Sequence, residues 1–170
     1  SVKEIMITQY RVAPPSEVIN TLIAAAQNGK KVTVFVELKA RFDEENNLAT
    51  AELMEKAGIH IIYSIPGLKV HAKVALILRF HKDGRPKKSF AYISTGNFNE
   101  KTATVYADSA LFTSNEELVE DLSNLFRLLR KEITEPQFKR LWVPRFNLLP
   151  ELKRRIGLEA NMALAGKKAY

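Results

Sequence analysis

Apolar positions along this chain switch between a strand-like and a helix-like rhythm, and each switch marks an element. Glu4 to Val12 reads as a buried strand. Ser16 and Glu17 then open a helix with Val18, Leu22, Ile23 and Ala26 as its apolar positions, and Gly29 ends it in a left-handed cap. Lys31 to Leu38 is an apolar strand that completes a β-α-β unit. A second helix is predicted from Asn47 to Ala57, stopped by Gly58, before a further parallel strand over His60 to Tyr63. Val70 to Phe80 and Ser89 to Thr95 read as an antiparallel pair, because the link His81-Lys82-Asp83-Gly84-Arg85-Pro86 contains an Asp-Gly turn. Tyr106 to Thr113 is another strand. Ser114 or Asn115 then caps a long amphipathic helix carrying Leu118, Leu122, Leu125, Phe126 and Leu129 on one face. The sum is an α/β layered domain, a mixed β-sheet flanked by helices, with no internal repeat.

The first strand has no lead-in, and a helical pattern over Leu149 to Ala165 stops in Gly166-Lys167-Lys168-Ala169-Tyr170. The expected organisation is therefore a fragment of a longer protein, with one domain over residues 1–148 and a helix and linker over 149–170. At 170 residues and 46% hydrophobic content the chain can bury a real core. Lys and Arg number 26 against 19 Asp and Glu, a net charge of +7. That suits a polyanionic partner without choosing among polyphosphate, nucleotide, nucleic acid and anionic lipid. With no cysteine, disulfides and thiolate metal sites are excluded. Nothing resembles a signal peptide or an apolar run of about 20 residues, and a cytoplasmic location is the simplest expectation.

The candidate chemistry centres on His71-Ala72-Lys73. Residues two apart on an extended segment face the same side, so an imidazole and an ammonium can converge on one phosphoryl group. A neutral ring nitrogen can attack phosphorus, while the lysine supplies positive charge where the phosphoryl oxygens accumulate negative charge. Arg11 ends the first strand, Arg41 follows the second, and His71 comes after the third, at intervals of thirty residues. One such interval is about one β-α-β step, which predicts a shared rim at the strand ends where ligands of α/β sheets collect. Two guanidinium groups there would bind phosphate oxygens bidentately, although an arginine after a strand also serves as a surface ion pair. Asp43, Glu44 and Glu45 either hold magnesium or form a solvated helix start favoured by the helix dipole. Thr95-Gly96-Asn97-Phe98-Asn99 follows a strand, and its backbone N–H groups and amide side chains either reach an oxyanion or simply make a turn. Asp108 is a candidate for orienting His71. His60 and His81 read as a strand-edge and a hairpin residue.

Several runs together resemble polyphosphate kinase. They are Tyr10-Arg11-Val12-Ala13, Asn28 to Val34, Glu37 to Glu45, Gly67 to Lys73 and Thr95 to Ala103, within a match from about Ile7 to about Lys167. The family belongs by fold to the phospholipase D superfamily, whose signature is H-x-K-x4-D. Leu78 stands here where that aspartate would fall, a departure that weakens a generic phosphodiesterase reading.

The resemblance implies a phospholipase D-like fold, here the first of two such subdomains. It implies reversible transfer of the terminal phosphate of ATP to inorganic polyphosphate through a phosphohistidine. His71 would be the nucleophile, Lys73 its catalytic partner, Arg11, Arg41, Asn97 and Asn99 the phosphate-binding residues, and Tyr106 an ATP contact. The arginines matching Arg11 and Arg41 are associated with a magnesium site; lacking a lone pair, they would act indirectly, through metal-bound phosphates. Mg2+ would arrive with ATP. The implied partners are ATP or ADP, polyphosphate, and a second subdomain of the parent chain with its own histidine. The parent is expected to be a homo-oligomer with peripheral contact to a membrane and no nucleic-acid partner. With one H-x-K, the fragment alone is expected to be inactive unless two copies pair their His71 sites. Two rivals remain, a phosphodiesterase or nuclease of the same fold and a non-catalytic polyanion-binding module, for which the net charge would suffice.

Overall fold

A computed structural model describes residues 1–11, 15–37, 44–64 and 67–169. Six strands form one sheet: β1 (Val2–Gln9), β2 (Lys31–Val36), β3 (His60–Tyr63), β4 (Lys73–Phe80), β5 (Pro86–Ser94) and β6 (Ala110–Thr113). They lie in the order β3-β2-β1-β4-β5-β6. β1, β2 and β3 run parallel, whereas β4 joins β1 antiparallel and starts an antiparallel meander through β5 and β6. The expected mixed sheet is thus present, with the change of direction at its centre, between β1 and β4.

The helices are α1 (Glu17–Gln27), α2 (Glu44–Lys56), the short α3 (Glu100–Ala103), α4 (Glu116–Leu129) and α5 (Leu148–Leu164). Alternation along the strands feeds two cores, one on each face of the sheet. Ile7, Val32, Val34 and Val36 pack with Ile19 and Leu22 of α1 and with Ala51 and Met54 of α2. Met6, Phe35, Val74, Leu76 and Ala91 pack with Leu122, Leu125, Phe126 and Leu129 of α4. In α1 the buried residues are Ile19 and Leu22, with Val18, Ile23 and Ala26 partly buried beside them, so the helix is turned slightly from the expected face. Gly29 has the predicted left-handed backbone, φ +72°. Asn115 caps α4 by accepting from the Leu118 N–H at 3.1 Å.

Several boundaries differ from expectation, among them the start of β1 at Val2 rather than Glu4 and of β5 at Pro86 rather than Ser89. β1 ends at Gln9, two residues before Arg11. α2 begins at Glu44, which makes Glu44 and Glu45 exposed residues of its first turn, the solvated alternative for the acidic run; Asp43 lies outside the described residues. β4 begins at Lys73, leaving His71 two residues ahead of the strand. β6 begins at Ala110 rather than Tyr106, because the Tyr106 N–H is used by the Thr102 carbonyl in closing α3.

Asp121, fully buried on α4, accepts from the backbone N–H groups of Lys139, Arg140 and Leu141 at 2.7–3.1 Å and fastens the segment after α4 to the domain. Lys139, Arg130 and Arg154, in the C-terminal part of the chain, lie in ion pairs with Glu120, Glu4 and Glu151. Among the described residues no helix is long and apolar enough to cross a membrane.

Candidate active site at the strand ends

The site arises where the central strands part. The last residues of β1 and β4 to pair are Ile7 and Ala75. One position on, the Thr8 side chain replaces the backbone ladder: its hydroxyl donates to the Ala72 carbonyl at 2.7 Å and accepts from the Val74 N–H at 3.1 Å. The strands splay, and His71 and Arg11 leave the sheet on either side of the opening.

Tyr10 fills the gap. Its ring, only 8% exposed, meets the His71 imidazole with centroids 4.8 Å apart and planes at 85°. Three cations surround the same ring: Lys73 Nζ at 5.2 Å, Lys69 Nζ at 5.5 Å and the Arg11 guanidinium at 5.9 Å from its centroid. Lys73 is buried and donates to the His71 carbonyl at 2.7 Å, whereas His71 itself is exposed. Histidine and lysine therefore converge as expected, but through an extended lead-in and a shared aromatic ring rather than along one regular strand.

Charge and burial act together on the pair. Loss of hydration, then the positive charges of Lys73, Lys69 and Arg11, hold the His71 pKa below the ordinary 6.5, so the ring is neutral at pH 7 with a lone pair available. Burial, then Arg11, lower the Lys73 pKa from 10.5, while Asp108 opposes the shift.

A buried frame lies beneath these groups. Asn47 of α2, fully buried, donates to the Tyr10 carbonyl at 2.9 Å and to the Glu37 carbonyl at 3.0 Å, tying together the chain just past β1 and β2. Glu37, 1% exposed, accepts from the Val70 N–H at 3.2 Å, one residue before His71. Gln9 donates to the Phe98 carbonyl at 3.0 Å and connects β1 to the loop after β5. Ser16, the N-cap of α1, donates to Glu100 Oε1 at 2.9 Å, binding that loop to α1 as well.

The remaining candidates stand in the loop itself. Asn99 Oδ1 caps α3, accepting from Thr102 N–H at 2.9 Å. Asn97 Oδ1 is buried without a hydrogen-bond partner, and only the amide's donor end could serve a phosphate oxygen. Tyr106 is 67% exposed beyond α3. None of their described contacts is to His71 or Lys73. Asp108 accepts from Thr95 Oγ1 at 2.9 Å and acts on Lys73 by charge, not on His71 by a hydrogen bond. Gly96 makes this possible, since a Cβ there would lie 2.4 Å from Asp108 Oδ2. Arg41 falls outside the described residues. His60, on the edge strand β3, and His81, at the hairpin, are exposed and remote in the fold, as expected. A groove of about 1260 Å³ between the hairpin and α4 contains none of the candidate residues.

Sequence reasoning overlooked Tyr10 as a ring, Lys69, Glu37 and Asn47. Lys69 had a signal, as a third cation two positions before His71; the others carry no local pattern that separates them from core or loop residues.

The fold and the site define an α/β domain with an exposed imidazole set among cations at the ends of its central strands. Residues 1–135 match the family model described as polyphosphate kinase C-terminal domain 1, and the chain belongs to the polyphosphate kinase family. It is 43% identical over 168 residues to a polyphosphate kinase of Vibrio vulnificus, covering 99% of this chain and 24% of that protein. It is 47% identical over 141 residues to that of Halalkalibacterium halodurans, covering 83% and 20%. The crystal structure of polyphosphate kinase from Porphyromonas gingivalis superposes with a TM-score of 0.87 at 51% identity, covering 98% of this chain and 28% of that one. The chain thus spans about a quarter of the length of the relatives it matches.

Proposed function

We propose that this chain is the part of a polyphosphate kinase that carries the phosphorylated histidine. A neutral ring nitrogen of His71 attacks the γ-phosphorus of ATP, an N–P bond forms, the bridging P–O bond breaks and ADP leaves. The terminal oxygen of a polyphosphate chain then attacks the same phosphorus and the N–P bond breaks, returning neutral histidine. One high-energy phosphoryl bond is exchanged for another at each step, so the transfer runs in both directions. Lys73, Arg11 and Arg41 hold phosphoryl oxygens as charge builds on them. The exposed, neutral His71 ring with three cations around its Tyr10 neighbour is the observation that supports this reading most directly.

The cluster is cationic, and among the described residues no group of three or more His, Cys, Asp or Glu side chains could hold a metal ion. Magnesium would arrive on the phosphates of ATP, and Arg11 and Arg41, whose guanidinium groups have no lone pair to offer, would meet the metal only through those phosphates. Acid–base assistance to the leaving and attacking oxygens would come from the second subdomain of the parent.

The test uses the full-length parent with magnesium and γ-labelled ATP, followed by mass-spectrometric mapping of acid-labile, base-stable phosphate. Label on His71, lost in His71→Ala together with polyphosphate synthesis, is the expected result. Synthesis without label on His71 would overturn it. Labelling from a phosphodiester instead of ATP would favour the phosphodiesterase reading, and an unaltered His71→Ala parent the polyanion-binding one.

A further inference from the structure

We infer that Tyr10 is a positioning residue for the reaction, its ring seating the His71 imidazole and gathering Arg11, Lys69 and Lys73 into one cradle before substrate arrives. The inference rests on the phosphohistidine reading of His71 proposed above.

Three cations and an imidazole share a single aromatic neighbour. The three cations lie 5.2–5.9 Å from the ring centroid, a range in which the negative face of an aromatic ring attracts a cation. Arg11 repels Lys73, as the lowered lysine pKa records, and attraction of each cation to the shared ring offsets part of that repulsion. The edge-on contact with His71 at 4.8 Å and 85° limits rotation of the imidazole on its exposed side chain.

The ring itself is held in place. It is 8% exposed, and its carbonyl is bonded by Asn47, which also bonds the carbonyl of Glu37. Glu37 in turn holds the N–H of Val70. Ring and imidazole are therefore referenced to the same buried frame from two directions. No described contact of Tyr10 uses its hydroxyl. The aromatic face is the working part, so phenylalanine should replace it and an aliphatic side chain of similar bulk should not.

The experiment follows phosphorylation of His71 in the full-length parent by rapid quench with γ-labelled ATP, for wild type, Tyr10→Phe and Tyr10→Leu. Rate and final amplitude report different things. A variant that is partly unfolded labels a smaller fraction at the normal rate, whereas a mispositioned imidazole labels fully but slowly. The expected result is Tyr10→Phe within threefold of wild type and Tyr10→Leu slowed about tenfold to a hundredfold at full amplitude, the penalty typical of a displaced reacting group. Tyr10→Leu labelling at the wild-type rate, Tyr10→Leu losing amplitude alone, or Tyr10→Phe as slow as Tyr10→Leu would each overturn the inference. Absence of label on wild-type His71 would instead overturn the reading on which it rests, so the two failures are distinguishable.

Discussion

Replacing Thr8 by valine tests how the histidine segment is attached to the sheet. The change keeps a β-branched side chain at a position 3% exposed and removes only the hydroxyl that bridges Ala72 and Val74. Two backbone groups lose their partner. Each costs about 1–3 kcal/mol if left buried and unmet. The Ala72 carbonyl is only partly buried and can recover a water, so the expected loss is about 2–4 kcal/mol, most of it from the Val74 N–H. Urea denaturation followed by circular dichroism should show a lower midpoint at unchanged slope. Thr8→Ser, which keeps the hydroxyl and deletes one methyl, should cost about 1 kcal/mol. Native-state hydrogen exchange should show Val74 losing more protection than Ile77 farther along the same strand. A Thr8→Val loss under about 0.5 kcal/mol, or one no larger than that of Thr8→Ser, would refute the idea that a hydroxyl stands in for the ladder where the site opens.

Three other outcomes are expected. Asp121→Ala strands three backbone N–H groups and should destabilise the domain by about 3–5 kcal/mol in thermal or urea unfolding, with exchange of the Lys139, Arg140 and Leu141 amides accelerated first. His71 should titrate below pH 6.5 by NMR, and Lys73→Met should raise its midpoint more than Arg11→Met does, following the order of their effects. Because the folded value is the depressed one, protonation favours the unfolded chain: the His71 term is absent above about pH 6.5 and lowers stability as pH falls through that value, until the folded form is protonated too. Gly96→Ala should force Asp108 aside and break its bond to Thr95, so that Lys73, deprived of a carboxylate that raises its pKa, titrates lower than in the wild type.

Much of the architecture could be read from residue patterns because the elements are strongly periodic. Val32, Val34 and Val36 inside β2 and Leu122, Leu125, Phe126 and Leu129 along α4 leave little choice of period or face. Boundaries failed where side chains override backbone rhythm. Val70 to Ala72 look like strand in sequence, but the Thr8 hydroxyl and the Glu37 carboxylate take the bonds a ladder would have made. Tyr106 to Ser109 also look like strand, and are bound instead by Thr102, which accepts from the Tyr106 N–H, and by Thr95, whose hydroxyl meets Asp108 and the Ser109 N–H. At the site, the convergence of Arg11, His71 and Lys73 follows from spacing, since all three lie at the ends of neighbouring strands. The role of Tyr10 does not, because a tyrosine closing an apolar strand looks the same whether its ring packs in a core or faces an imidazole. Asn47 and Glu37 are likewise invisible: their partners are backbone groups, which no residue pattern records.

The placement of β1 at the middle of the sheet has a kinetic meaning. Its neighbours are β2, which follows it through one helix, and β4, where Val74 stands 66 positions from Thr8. The hairpin of β4 and β5 is local and can close on its own in microseconds, while pairing β4 to β1 must first close a long loop against chain entropy. During synthesis β1 emerges before β4, and the edge it offers to β4 stays unpaired until residues near 79 have emerged. The imidazole and the ring against which it rests are thus brought together by a non-local pairing, and a chain halted before it has a parallel half-sheet without that contact.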